Sequence, residues 1–206
     1  GLAKGQITRE VDALGGLMGR CTDATGIQFR MLNSSKGPAV QSPRAQCDKY
    51  AYSQWLHDAM CADPNITVIE GEATEILTDA TTSFSREPGA SASPRVSSVR
   101  LSDGRQLFAP AVVVTTGTFL RGLMHTGEAT TPGGRVGEPA ATGLSASLAS
   151  LGLTLGRLKT GTCPRLARES LDLDSLTRQP GDEPPVPFSF LNDRLAQKVR
   201  AGHCRR

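Results

Sequence analysis

The chain has 206 residues, enough for one large domain or for one domain and the beginning of another. Its 38% hydrophobic and 21% charged residues are ordinary for a globular protein, and no apolar run approaches the ~20 residues of a membrane span. A net charge of +3 is too small to mark a nucleic-acid-binding protein, and five cysteines without a C-x-x-C pair argue against a disulfide framework or a zinc site.

The first quarter of the chain is predicted to contain two helices and a strand. Apolar residues at helical spacing predict a helix over residues 6–22, weakened by the Gly15-Gly16 pair. A short strand is expected over residues 27–32. Ser42-Pro43 then has the pattern of an N-cap and a first-position proline, which predicts a helix through about residue 62.

The middle of the chain is rich in strand signals. Apolar and β-branched runs predict strands over residues 66–69, 73–77, 96–101, 106–109 and 111–114. Asp103-Gly104 predicts a hairpin turn, and the Ser/Thr/Pro/Gly-rich stretch 78–94 predicts a surface loop. The continuous apolar run 111–114 is typical of a strand that is buried on both faces.

The last part of the chain has a different texture. We expect a glycine-rich loop over residues 133–137, a short helix over 144–151 and a strand over 153–158. A proline-rich stretch follows at 180–187. A domain boundary is predicted near residue 157.

Gly117 ends the apolar run and is the first candidate for a ligand contact. A glycine at the carboxyl end of a parallel strand lets a cofactor approach the main chain, whereas the structural alternative is an interior strand that ends in a tight turn. No G-x-G-x-x-G motif occurs in the chain. If a dinucleotide binds, its pyrophosphate site is therefore expected outside these residues.

Cys163 lies in a loop with several cations, which favour the reactive thiolate form of a cysteine. The phosphatase arrangement requires an arginine at the sixth position after the cysteine, and that position holds Glu169. An unreactive, partly buried cysteine is the stronger interpretation. The cations themselves, Arg157, Lys159, Arg165 and Arg168, fit either an anionic ligand or a solvated loop.

Several stretches together resemble the MnmG/GidA family of FAD-dependent tRNA uridine 5-carboxymethylaminomethyl modification enzymes. They are GLAKGQITREVDALGG at residues 1–16, NSSKGPAV at 33–40 with RAQ at 44–46, TTGTFL at 115–120, GGR at 133–135 and GRLKTGT at 156–162. The resemblance runs to about residue 192. It implies an α/β, glutathione-reductase-type FAD-binding fold over residues 1–156, the start of an inserted substrate or nicotinamide domain over 157–192, and a divergent basic tail over 193–206.

The same resemblance implies a function. Family members use FAD, a reduced nicotinamide and a folate-derived carbon to modify the wobble uridine of tRNA, as homodimers with a GTPase partner of the MnmE type. The wording of residues 120–124 and 168–170 is similar to the mitochondrial branch, where taurine is the amine, so a mitochondrial matrix location is expected, or a cytoplasmic one for a bacterial protein.

Site residues are also implied by the resemblance. The residues expected to contact FAD are Ala73, Thr74, Thr115, Thr116, Gly117, Ala141, Lys4 and Gly5. Ala141 stands where the family usually has a serine, so only a main-chain contact is expected there. The residues expected to bind an anionic substrate group are Lys36, Arg135, Lys159 and Arg165. No catalytic residue is assigned, Cys163 included.

Two alternatives remain at this stage. One is another glutathione-reductase-type flavoprotein, such as a folate-dependent tRNA uridine methyltransferase. The other is a non-catalytic RNA- or partner-binding fragment that acts through its basic loop and tail.

Overall fold

The computed structural model describes residues 4–79, 94–161 and 166–195, which form two compact units. The first unit comprises residues 4–68 and 166–195, and the second comprises 69–79 and 94–161. No helix in these ranges has the length and apolar character needed to cross a membrane.

The first unit packs three helices around a two-stranded antiparallel sheet. Its elements are α1 (Lys4–Ala13), α2 (Leu17–Thr25), β1 (Gly26–Leu32), β2 (Ser42–Cys47) and α3 (Lys49–Cys61), with short 3-10 helices at Pro38–Val40 and Arg168–Ser170. Strand β1 is confirmed where the sequence predicted it. The fully buried Cys21 and the buried Phe29 and Phe188 contribute to the apolar interior of this unit.

The long helix predicted over residues 6–22 is wrong, because α1 ends at Ala13. Gly15 adopts a left-handed conformation with φ +91°, and its N–H donates to the Asp12 carbonyl at 2.8 Å. This is a helix-terminating arrangement that glycine adopts at little steric cost. The amphipathic pattern is therefore shared between two helices.

The helix predicted to begin at Ser42-Pro43 is also wrong at its start. Residues 42–47 form β2, in which Pro43 pairs with Met31 of β1. The helix begins after Asp48, whose carboxylate accepts the N–H groups of Tyr50 at 2.9 Å and Ala51 at 3.0 Å. A side chain that accepts these otherwise unpaired N–H groups is the stronger N-cap.

The second unit contains a three-stranded antiparallel sheet, a separate hairpin and one helix. The sheet has the order β3 (Ala73–Asp79), β4 (Arg95–Leu101), β5 (Gln106–Phe108), the hairpin pairs β6 (Leu123–Thr126) with β7 (Ala129–Pro132), and the helix is α4 (Gly143–Ser150). Helix α4 packs on β3, where Leu144, Leu148 and Ile76 form the core. The predicted strands 73–77, 96–101 and 106–109, the Asp103-Gly104 turn and the helix 144–151 are confirmed.

Three predicted strands are absent from the described residues. Residues 66–69, 111–114 and 153–158 pair with none of the strands in the described part of the chain. Their apolar side chains lie largely in solvent: Val113 is 85% and Leu158 97% exposed. An apolar run forms a strand only where a neighbouring strand accepts its backbone hydrogen bonds. The hairpin β6–β7 was not predicted.

Candidate functional site

The Thr115–Gly117 segment ends in a turn whose main chain is open to solvent. Gly117 has φ +59°, and a Cβ added to it would meet no atom within 4 Å. The Phe119 N–H closes the turn on the Thr116 carbonyl at 3.2 Å. A flat ligand can therefore approach the peptide at Gly117 without meeting a side chain there.

Backbone pairing brings Ala141 to this turn. Leu120 and Ala141 form a parallel bridge, in which the Ala141 N–H donates to the Phe119 carbonyl at 2.9 Å and the Arg121 N–H donates to the Ala141 carbonyl at 2.8 Å. The Ala141 N–H is thus committed inside the chain. The only donor that this residue could offer a ligand is already used.

Thr74 reaches the same region through the first residue of α4. Gly143 lies so close that an added Cβ would be 3.2 Å from the Thr74 Cα, and the Thr74 hydroxyl donates to the Arg100 carbonyl at 3.2 Å. Ala73 precedes it at the start of β3 and is half-buried. Thr74, Ala141 and the 116–122 turn therefore gather at the amino end of α4.

Arg135 lies in the glycine loop beside this turn. The Thr118 hydroxyl donates to the Gly134 carbonyl at 3.0 Å, and the ring of Phe119 occupies the space that a side chain at Gly134 would need. Arg135 forms an ion pair with Glu138. Both side chains are about half exposed, so the pair leaves Arg135 accessible but lowers its net charge as an anion partner.

The cationic loop is only partly within the described residues. Lys159 is exposed, and Arg157 donates to the Arg121 carbonyl at 2.8 Å, which ties this segment to the 116–122 turn. The resemblance did not single out Arg157, although the run of cations contained it. Cys163 and Arg165 lie outside the described residues.

The remaining candidates, Lys4, Gly5 and Lys36, belong to the first unit. Gly5 is buried, and a Cβ added to it would be 2.5 Å from the Pro43 carbonyl oxygen and 2.6 Å from the Ser42 hydroxyl. Close packing of α1 on β2 therefore accounts for this glycine. Lys4 and Lys36 are exposed, Lys36 in the turn that follows β1.

Sequence reasoning missed two buried carboxylates, Asp12 and Asp23, which bind the main chain of residues 188–190. The Asp23 carboxylate accepts the N–H groups of Phe188 at 2.6 Å and Ser189 at 3.0 Å, and Asp12 accepts that of Phe190 at 2.7 Å. They lie on α1 and α2 and are 2% and 6% exposed. No local signal marks them, because their partners are distant in sequence.

The described cysteines show no sign of nucleophilic activation. Burial raises the pKa of the Cys21 and Cys47 thiols above 9.0 despite a hydrogen bond with Thr25, and burial also raises the pKa of Tyr52. A raised pKa disfavours the thiolate. Within residues 4–79, 94–161 and 166–195, no group of His, Cys, Asp and Glu side chains could hold a metal ion.

The geometry thus defines an α/β domain with an exposed glycine turn next to the start of a helix. The family model of glucose inhibited division protein A (GidA) matches residues 1–204, and the chain belongs to this family. The match extends beyond residue 192, where the sequence analysis expected the resemblance to end. The MnmG/GidA resemblance and the α/β FAD-binding fold class are confirmed.

The curated relatives have one recurring name. The chain is 47% identical over 203 residues to the tRNA uridine 5-carboxymethylaminomethyl modification enzyme MnmG of Rhodopirellula baltica, which covers 98% of this chain and 31% of that protein. It is 50% identical over 199 residues to the enzyme of the same name from Chlorobaculum tepidum, covering 96% of this chain and 30% of that one.

A solved structure has the same fold. Aquifex aeolicus GidA, in its form I crystal, matches with a TM-score of 0.78 and 42% identity over 94% of this chain and 30% of that chain. The chain therefore spans about 30% of the length of the relatives it matches.

Proposed function

We propose that this chain forms part of the flavin-binding domain of an enzyme that modifies the wobble uridine of tRNA at C5, with a carboxymethylaminomethyl or taurinomethyl group as product. The observation that carries the proposal is the family match along residues 1–204, together with 47% identity to a relative named for this activity. The fold similarity to Aquifex GidA supports it independently of the name.

The proposed cofactor is FAD, and the described residues fit it in part. The turn at Gly117 offers an unobstructed main chain, and Thr115 beside it is exposed. In contrast, the Ala141 N–H and the Thr74 hydroxyl are used inside the chain, so these two residues serve to shape the turn and the helix start. Bound FAD would supply hydride and electron transfer, while the protein positions the ring.

The pyrophosphate of FAD requires residues other than these. The chain has no G-x-G-x-x-G motif, and we propose that the rest of the enzyme supplies that contact. The proposal also includes a reduced nicotinamide, a folate-derived carbon, a GTPase partner of the MnmE type and a homodimer. The mitochondrial location stays a prediction, since the relatives named above are bacterial.

A chimera tests this function. In it, the present chain replaces the matching 203-residue stretch of the Rhodopirellula baltica relative, and the chimera is expressed in a bacterial strain that lacks its own MnmG. We expect 5-carboxymethylaminomethyluridine in the tRNA of that strain, measured by nucleoside mass spectrometry. A folded chimera that yields only unmodified uridine would refute the proposal, and 5-methyluridine would indicate the methyltransferase alternative.

A further inference from the structure

Two arginines face each other across the sheet of the first unit. Arg30 of β1 lies directly opposite Arg44 of β2 in the antiparallel register. Side chains of such a pair share one face of the sheet, and like charges directly opposite lower its stability. No carboxylate in the described ranges lies within ion-pair distance of either guanidinium. The repulsion is therefore not relieved by an ion pair in this part of the chain.

A third arginine lines the same cleft. Arg9 of α1 borders a cleft of about 20 Å³ together with Arg30 and Arg44. Its guanidinium lies over the ring of Phe190, 4.6 Å from the centroid, and its Nε is buried without a hydrogen-bond partner among the described residues. A buried donor that is left unpaired costs free energy, which a ligand acceptor would recover.

The balance of charge at the cleft is positive. Asp182 is the only acid among the lining residues, and its Oδ2 accepts the Met31 N–H at 2.6 Å. Three arginines against one aspartate leave a surplus of two positive charges. A phosphate monoester carries about −1.5 to −2 charges, and two neighbouring phosphodiesters carry a similar charge.

The size of the cleft limits what can enter it. A volume of about 20 Å³ holds little more than one water molecule. A ligand therefore inserts one or two oxygen atoms and remains at the surface. Arg44 is exposed and Arg9 and Arg30 are half-buried, so the mouth of the cleft is accessible to such a group.

We propose that Arg9, Arg30 and Arg44 form a binding site for a phosphate group. The planar guanidinium fork matches phosphate oxygens, and a bound phosphate would relieve the repulsion between Arg30 and Arg44. The phosphate comes either from an RNA backbone or from a small phosphate compound. In its RNA form, the inference rests on the proposed function.

The first experiment measures binding of a tRNA transcript to the 206-residue chain by fluorescence anisotropy at several salt concentrations. For an RNA site, Arg30→Gln/Arg44→Gln should weaken binding by about tenfold or more and reduce the slope of log affinity against log salt by about two. The matched control is Arg95→Gln, which removes a charge from an exposed strand position outside the cleft and should leave the slope within about one of the wild type.

The second experiment measures Tm in sodium phosphate and in sodium chloride of equal ionic strength. For either source, phosphate should raise Tm in the wild type and not in the double variant. In chloride, the double variant should melt about 1–2 °C higher than the wild type, because the like-charge pair is gone. A loss of binding together with a higher Tm excludes misfolding of the variant as its cause.

Loss of both tRNA affinity and phosphate stabilisation in the double variant supports the site with RNA as its source. Loss of phosphate stabilisation alone supports it with a small phosphate compound. The proposal is overturned if the double variant matches the wild type in both experiments. A chimera that fails to modify tRNA would refute the proposed function without changing these binding results.

Discussion

The N–H of Phe188 donates to the Oδ1 atom of Asp23 at 2.6 Å, across 165 positions of the chain. The same carboxylate also accepts the Ser189 N–H at 3.0 Å and the Asn192 side-chain amide at 2.8 Å. One buried acid on α2 thus satisfies three donors of a segment without regular secondary structure. This segment owes its conformation to side-chain acceptors, because no strand or helix pairs its main chain.

Asp23→Ala should release residues 188–192 locally. Two backbone N–H groups would lose their acceptor, at a cost of about 2–4 kcal/mol. Amide hydrogen exchange of Phe188 and Ser189 should accelerate by about 30- to 1,000-fold. The control, Asp174→Ala, removes an exposed acid and should leave these rates unchanged. Equal rates in both variants would show that Asp23 does not hold the segment.

Gly5→Ala should destabilise the first unit because its Cβ would collide with β2. Overpacking of this kind costs about 1–3 kcal/mol, measured by urea unfolding. The matched control is Gly37→Ala, where φ is −61° and no atom lies within 4 Å of the added Cβ, so its effect should be small or stabilising. If Gly5→Ala unfolds like the control, close packing does not explain this glycine.

The chain should lose stability at alkaline pH. Burial raises the pKa of Cys21 and Cys47 above the 9.0 of the unfolded state, so above that pH the unfolded state releases protons that the folded state retains. The free energy of unfolding is fully maintained below pH 9.0 and falls as pH rises through the raised pKa values. Tyr52, raised from 10.0, extends the loss.

Urea unfolding at pH 8 and pH 10.5, with a reducing agent, tests this pH dependence. Cys21→Ala should lose less stability between the two pH values than the wild type does. Cys61→Ala, which removes an exposed thiol, should lose as much as the wild type. An alkaline loss that is identical in all three proteins would assign the effect to other groups.

Local patterns predicted the elements that local interactions decide. Strand β4 and the Asp103-Gly104 turn follow from alternation and turn chemistry, and α4 follows from a run of good helix formers. Ser42-Pro43 was misleading because pairing with β1 and contact with Gly5 outweigh its capping signal. The run 111–114 was misleading because strand formation depends on a neighbour that its own sequence does not reveal.

The site was predictable to a similar extent. The open turn at Gly117 follows from an apolar run that ends in glycine, and the family resemblance added Thr74 and Ala141 without showing that their donors are used inside the chain. The opposition of Arg30 and Arg44 depends on the strand register. That register became visible only once residues 42–47 were found to be a strand.

The most direct measurement of the central claim is the flavin content of the chimera. We expect purified chimera to contain about one FAD per chain, measured by absorbance near 450 nm. Gly117→Val should lower this content strongly, because the side chain would fill the space through which the ring approaches the main chain, while Gly37→Val should retain FAD. Full FAD content in a folded Gly117→Val chimera would contradict the claim that this turn receives the flavin.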